Sequence, residues 1–420
     1  MVEPVETPGG SIWTKKVVLF LISQMISLFG TMLVQYAIFW HVTLVGGSGV
    51  LMTISIVTGF LPTFILSPFG GVWADRYDRK QLMVLADGAI ALVTLAAGIF
   101  FSLGFQDMWL LFLAQALRAS GSAVHGPAVN AFLPQLVPTE ALTKVNGVSQ
   151  SIQSVVALIS PMVAGVLMTV STIQTIFFID VVTAAIAIAV LVGLIHVAPH
   201  PRAMETLKLS YFSDMRDGLH YVRNHAFVKR FLFFCTMFFF LAAPVAFLTP
   251  LQVTRTYGEE VWRLTAVEIA FSLGMVFGGI LISVWGGFKN RIYTMALSSF
   301  MIGFLTVALG LPITFWFYLV VMAIIGVTMP LFNTPSTVML QELVDDAFLG
   351  RVFGVFGMIS SIMMPMGMLV FGPVADVVKI EWLLMGSGTG LFAIAFFLTG
   401  SRVLIELGRP REVIDTAMTE

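Results

Sequence analysis

Charge is what this chain has least of. Asp, Glu, Lys and Arg make up 11% of its 420 residues, whereas a soluble domain carries about 25%. So few charges cannot cover a water-facing exterior of this size, and lipid must be the solvent for most of the chain. Cysteine is nearly absent. Cys235 stands alone, which excludes an internal disulfide and leaves the redox compartment unreadable. The net charge of −1 gives no reason to expect a nucleic-acid partner. No Gly-x-x-x-x-Gly-Lys-Ser/Thr loop occurs, which argues against ATP as an energy source. No metal-ligand spacing and no nucleophile–base arrangement stands out, and the six histidines are scattered. The expectation is a protein that is not an enzyme and uses no cofactor or metal. Residues 1–14 are polar, include Glu3 and Glu6, and lead through Lys15-Lys16 into a full-length apolar run, so no cleavable signal peptide is expected.

Apolar residues are plentiful instead, at 58% of the chain, with mean hydropathy +0.95. Twelve apolar runs are long enough to cross a bilayer, at 17–44, 50–73, 81–104, 108–132, 145–170, 173–197, 229–253, 264–286, 292–311, 315–340, 352–375 and 382–404. The runs are continuous rather than alternating, so they read as helices and not as barrel strands. Only Val170-Ser171-Thr172 separates the fifth from the sixth. With the amino terminus inside, 18 of the 22 basic residues fall on the cytoplasmic side. Arg255, Arg263 and Lys379 fall outside, and Arg118 lies within a span. That bias predicts both termini in the cytoplasm. Residues 198–228 form the longest polar stretch, with an amphipathic run from Tyr211 to Val222. They read as a cytoplasmic linker, partly helical along the membrane surface. The expected fold is an all-α polytopic membrane protein of twelve transmembrane helices in two six-helix bundles. Residues 1–197 form the first bundle and 229–420 the second, with a short cytoplasmic tail.

The halves echo each other at an offset of about 207 residues. Pro127-Ala-Val, Leu136-Val137-Pro138 and Gly147 parallel Pro335-Ser-Thr, Leu343-Val344-Asp345 and Gly354, and Gly70-Gly71 parallels Gly278-Gly279. Arg79-Lys80 has a weaker counterpart in Lys289-Asn290-Arg291. Between the second and third runs lies GGVWADRYDRK, Gly70 to Lys80, with five charges in eleven residues. Gly71 there suits a close helix approach. Asp75 suits hydrogen bonds from an arginine or a facing helix N-terminus, and Arg79 and Lys80 suit the headgroup layer. The spacing Gly71, Asp75, Arg76, Arg79, Lys80 resembles the gating loop of major facilitator transporters, and parallel six-helix repeats are their arrangement.

Several polar residues sit where lipid would not tolerate them. Arg118 lies about ten residues into the fourth run, about 15 Å deep at ~1.5 Å per residue. It must face a cavity or a partner. The segment Arg118-Ala-Ser-Gly121 resembles, one residue short, the fourth-span motif of proton-coupled facilitators, which implies a role for Arg118 in proton coupling. Asp180 in the sixth run and Glu268 in the eighth are candidate proton carriers, because intramembrane carboxylates are functional by default. Asp180 reads alternatively as a packing carboxylate. Glu268 is preferred, because the eighth span of the fold usually lines the cavity. Asp87 reads as support for the loop motif, and His125, beside Gly126-Pro127, as packing. Ser160-Pro161-Met-Val-Ala164-Gly165 resembles the antiporter motif of the fifth span, carried here by Pro161 and Gly165. Gln24, Gln115, Gln150, Gln153 and Asn333 fall on spans that surround the cavity of facilitators. With 24 Met and 37 Phe they suggest a greasy pocket with a few hydrogen-bonding points.

ADRYDRK places Asp78 where the loop motif usually has glycine. Together with IQTIFFID, LTAVEIAFSLGM and WGGFKNR, it makes the chain resemble the macrolide-efflux branch of the drug:proton antiporters, from Trp13 to about Arg402. The resemblance implies a monomer in the bacterial cytoplasmic membrane whose partners are lipid, protons and a hydrophobic small molecule. Siderophore or lysophospholipid transport on the same fold is the nearest alternative, and a membrane scaffold or sensor a more distant one.

Overall fold

The structure is a computed structural model that describes residues 14–138, 141–197 and 220–408. Every regular element among them is helical, as it must be where lipid offers backbone groups no partner. The long helices are α1 (Lys15–His41), α2 (Gly49–Arg76), α3 (Arg79–Ser102), α4 (Met108–Phe132), α5 (Leu142–Val170) and α6 (Ile173–Leu194). After residue 220 come α7 (Ala226–Phe247), α8 (Val261–Trp285), α9 (Arg291–Leu309), α10 (Phe315–Leu343), α11 (Asp346–Val374) and α12 (Ile380–Gly400). Eleven are long and apolar enough to cross a membrane, if Val42–Gly46 is counted with α1 and Thr249–Tyr257 with α7. The exception is α4. Its 25 residues suffice in length, but Gln115, Arg118, Ser120, Ser122, His125 and Asn130 make it polar. The narrow border after the fifth apolar run is a true break, because Ser171 has extended backbone between α5 and α6. Most of the linker lies outside the described residues.

The described residues form two compact units, one of 14–41 and 57–197, the other of 42–56 and 220–408. In the first, α1 packs on α5 and α6, and α3 packs on α4 and α6. In the second, α7 packs on α11 and α12, and α9 packs on α10 and α12. Each of these four contacts of the first unit therefore recurs six helices later. The paired glycines show why the backbones can pack this way. A Cβ at Gly70 would lie 2.2 Å from the Ala123 carbonyl oxygen of α4, and one at Gly278 would lie 2.2 Å from the Val327 carbonyl oxygen of α10. Gly71 and Gly279 meet nothing within 4 Å. The close approach expected at Gly71 is thus made one residue earlier, because one helical step of about 100° turns the next Cα away from the neighbour.

The loops after these glycines also match. Asp78 caps α3, accepting from the Gln81 backbone N–H at 2.8 Å, and this use explains an aspartate at a position otherwise suited to glycine. Arg79 donates to the Ala74 and Ala131 carbonyls at 3.1 and 2.8 Å. Lys80 donates to the Val192 and Ile195 carbonyls at 3.3 and 2.8 Å, closing the end of α6. In the second unit Asn290 caps α9 and reaches the Ile405 carbonyl, while Arg291 pairs with Glu342. Phenylalanine fills the core there. Phe227, Phe231, Phe234 and Phe238 line one side of α7, and Phe238 stacks on Phe332 with centroids 4.1 Å apart. Cys235 is fully buried among them.

The first turn of α2 belongs to this second unit. Asp376 accepts from the Ser48 hydroxyl and the Gly49 and Val50 backbone N–H groups at 2.6, 2.7 and 3.0 Å, and from Arg255 at 3.0 Å. Partial burial pushes its carboxyl pKa up, but these donors outweigh that and hold it below the ordinary value.

Two outcomes follow. Gly278→Ala should destabilise the purified protein by about 1–3 kcal/mol, the range of overpacked sites, and Gly279→Ala by less than about 0.5 kcal/mol. Thermal unfolding in detergent measures both. A depressed carboxyl pKa stabilises above the unfolded value and is lost as pH falls through the folded one. Wild-type unfolding temperature should therefore drop more steeply below about pH 4 than that of Asp376→Asn.

Candidate functional site

The α3–α4 pair of the first unit carries two buried polar contacts. A short loop joins these helices and makes them antiparallel. On α3, Asp87 and Thr94 are seven residues apart, and on α4 so are Arg118 and His125. Seven residues are close to two turns, so each pair lies on one face and the helices meet at two levels.

At the first level Arg118 donates through one nitrogen to the Asp180 carboxylate of α6, at 2.5 Å, and to the Thr94 hydroxyl. Its other nitrogen donates to the Thr31 carbonyl of α1 at 3.4 Å. The two charged side chains are 8% and 2% exposed. Room for Asp180 exists because α1 has Gly30 there, where a Cβ would come within 2.9 Å of the carboxylate. The structure thus joins two of the expected coupling residues, Arg118 and Asp180, in one ion pair. Glu268 stands apart on α8. It is half-buried, and no described residue bonds or pairs with it.

At the second level the Asp87 carboxylate lies 3.3 Å from His125 Nε2 and accepts from the Ser27 hydroxyl of α1 at 3.2 Å. Both residues line a cavity of about 290 Å³ within the first unit, bounded by α1, α3, α4 and α5. Asp87, expected to support the loop, and His125, expected to pack, thus both face the cavity. The two-turn spacing from Thr94 and Arg118 was the signal for both. Thr31, whose carbonyl Arg118 holds, also lines the cavity, so the first level lies directly behind its wall.

The neutral polar residues divide. Gln24 and Gln153 line the cavity, as does Asn130. Gln115 is buried against α2, with the Thr58 hydroxyl at 3.5 Å. Gln150 is exposed, and Asn333 is exposed in the second unit. No phenylalanine and one methionine, Met25, line the cavity. The cavity surface is still mostly apolar, through Leu21, Leu28, Ile90, Val129 and Ile152, while phenylalanine is used in the second unit's core and on exposed helix faces. Pro161 and Gly165 lie on the buried face of α5, whose main neighbour is α1. Asp75 and Arg76 are exposed and bond to no described residue.

Comparison with known proteins agrees with this architecture. The profile of the Major Facilitator Superfamily matches residues 20–368. Macrolide efflux protein A of Streptococcus pyogenes is 31% identical over 388 residues, covering 91% of this chain and 95% of that protein. Macrolide efflux protein A of Enterococcus faecalis is 33% identical over 327 residues, covering 77% of this chain and all of that protein. Among solved structures, the nucleoside transporter NupG superposes with a TM-score of 0.68 at 14% identity, covering 92% of this chain and 99% of that one. With its apolar helices and repeated halves, the chain is a multi-pass membrane protein that belongs to the major facilitator superfamily.

Proposed function

We propose that the chain exports hydrophobic and amphipathic small molecules of the macrolide type from the bacterial cytoplasm, by alternating access driven by proton influx. The observation that carries this reading is the identity of about a third, over most of the chain, to proteins named for macrolide efflux. The cavity inside the first unit supports it, being concave and largely apolar with a few convergent polar groups. In this reading α4 also spans the membrane, its polar face turned inward, which makes twelve spans with both termini cytoplasmic. The exposed Asp75 and Arg76 form the gating loop with Gly71, Arg79 and Lys80, and Pro161 and Gly165 set the packing of α5.

The three coupling residues then take different parts. A proton carrier must gain and lose its proton during each cycle. Asp180 holds a guanidinium and is screened by α1, so it steadies the bundle together with Arg118. Among the described residues no cation holds Glu268, which leaves it free to exchange protons. It is the coupling carboxylate of this proposal.

Cells expressing the chain should accumulate less macrolide than cells without it, and a proton uncoupler should abolish the difference. Proton-driven uptake into inverted vesicles then separates the residues. Glu268→Gln, which mimics the protonated state, should leave folded protein that binds drug but does not concentrate it. Asp180→Asn and Arg118→Ala each strand a buried charge or polar partner, at a cost of about 3–5 kcal/mol, and should lower the yield of folded protein. Normal accumulation by Glu268→Gln, with well-folded Asp180→Asn inactive, would move the proton path to α6.

A further inference from the structure

The first unit buries two carboxylates that are treated differently. Asp180 has a full cationic partner in Arg118. Asp87, whose side chain is 6% exposed, has none of fixed charge. One oxygen takes the Ser27 hydroxyl and lies near His125, and the other accepts from no described residue. His125 Nε2 is itself a buried nitrogen without a hydrogen bond, because its approach to the carboxylate is close but misaligned. A buried carboxylate in this condition lacks the compensation that a desolvated charge requires. Both groups face the same cavity.

We propose that Asp87 is the binding site for the cationic amine of an organic substrate, with His125 as the neighbour that makes room for it. The inference rests on the export reading above and assigns a ligand chemistry to its cavity. The cavity's other walls fit this chemistry. Ser27 and Gln24 on α1, Ser122 and Asn130 on α4, and Gln153 on α5 are all neutral. Of the fixed cations on the helices around the cavity, Lys15, Lys16, Arg79, Lys80 and Lys144 do not line it, and Arg118 lies two turns from His125 and is held by Asp180. No fixed cation thus repels an ammonium group at Asp87, and none neutralises the carboxylate in its place. The cavity, at about 290 Å³, is at the small end for a whole drug-sized molecule, usually ~300–1,000 Å³. It suits one amine-bearing arm of a larger amphipathic substrate.

Fluorescence titration of the purified full chain in detergent tests this with two probes. Ethidium is permanently cationic, and N-phenyl-1-naphthylamine is neutral and of comparable hydrophobicity. Asp87→Asn should weaken ethidium binding by about tenfold or more, as expected for loss of one member of a desolvated charge pair, and leave the naphthylamine unchanged. Asp87→Glu should restore most of the ethidium affinity. Should Asp87→Asn fail to fold, wild type still decides. Ethidium should protect His125 from carbethoxylation by diethylpyrocarbonate, read by mass spectrometry, and the naphthylamine should protect it less. Equal loss of both probes in Asp87→Asn, or no selective protection of His125, overturns the assignment. Loss of cellular efflux with these binding results intact would instead fault the export reading.

Discussion

A guanidinium in the middle of a helix bundle cannot be left alone, and the first unit is arranged around that of Arg118. Its donors reach α1, α3 and α6 from α4. Four helices are thereby held in register by one side chain. The other choices at this level follow from it. Gly30 leaves space for Asp180, and Thr94 supplies a hydroxyl where a third acceptor is needed. Hydrophobic packing alone specifies registry weakly between helices in lipid, where apolar faces find no preference for each other over acyl chains. A buried ion pair adds little net stability, but it makes a shift of one turn costly, because either charge would be stranded. Thr31, whose carbonyl Arg118 holds, is part of the cavity wall, so that stretch of the wall is tied to the ion pair behind it.

The large-scale plan was legible from the residues. Continuous apolar runs gave the helices, and the glycine pairs and loop charges gave the repeat, because backbone contact and helix ends demand particular residue types at particular places. Within the site, legibility followed chemistry. Arg118 and Asp180 stand out in any apolar run, and the structure joins them. Asp87 and His125 were noticed and given lesser parts, because each was considered on its own helix. The correspondence of Asp87 with His125 and of Thr94 with Arg118 depends on the relative slide of α3 and α4, which no single run contains. Gly70 and Gly71 show the same limit at a finer scale. Two adjacent glycines are equivalent as residues, and only the azimuth of the helix decides which one touches a neighbour.

The second unit uses the same contacts with different side chains. Where α1 presents Gly30 and the Thr31 carbonyl to the Arg118–Asp180 pair of α4 and α6, α7 meets its neighbours through stacked phenylalanines. Arg79 bonding a carbonyl becomes Arg291 pairing with Glu342, and Asp78 as a helix cap becomes Asn290. What the two halves share is therefore backbone geometry and the need to satisfy helix ends, and the side chains that meet those needs are free to differ. This freedom leaves one half with a cavity that carries a buried carboxylate and the other with an aromatic core.

The aromatic core has a practical side. Cys235 is the sole thiol of the chain and has no exposed surface, enclosed by phenylalanines on every turn of α7 around it. Polar maleimides and methanethiosulfonates require an accessible thiolate. To such reagents the natural protein behaves as one without cysteine. A single reporter thiol introduced anywhere on its surface would carry the label alone, with no background to remove and no native residue to sacrifice.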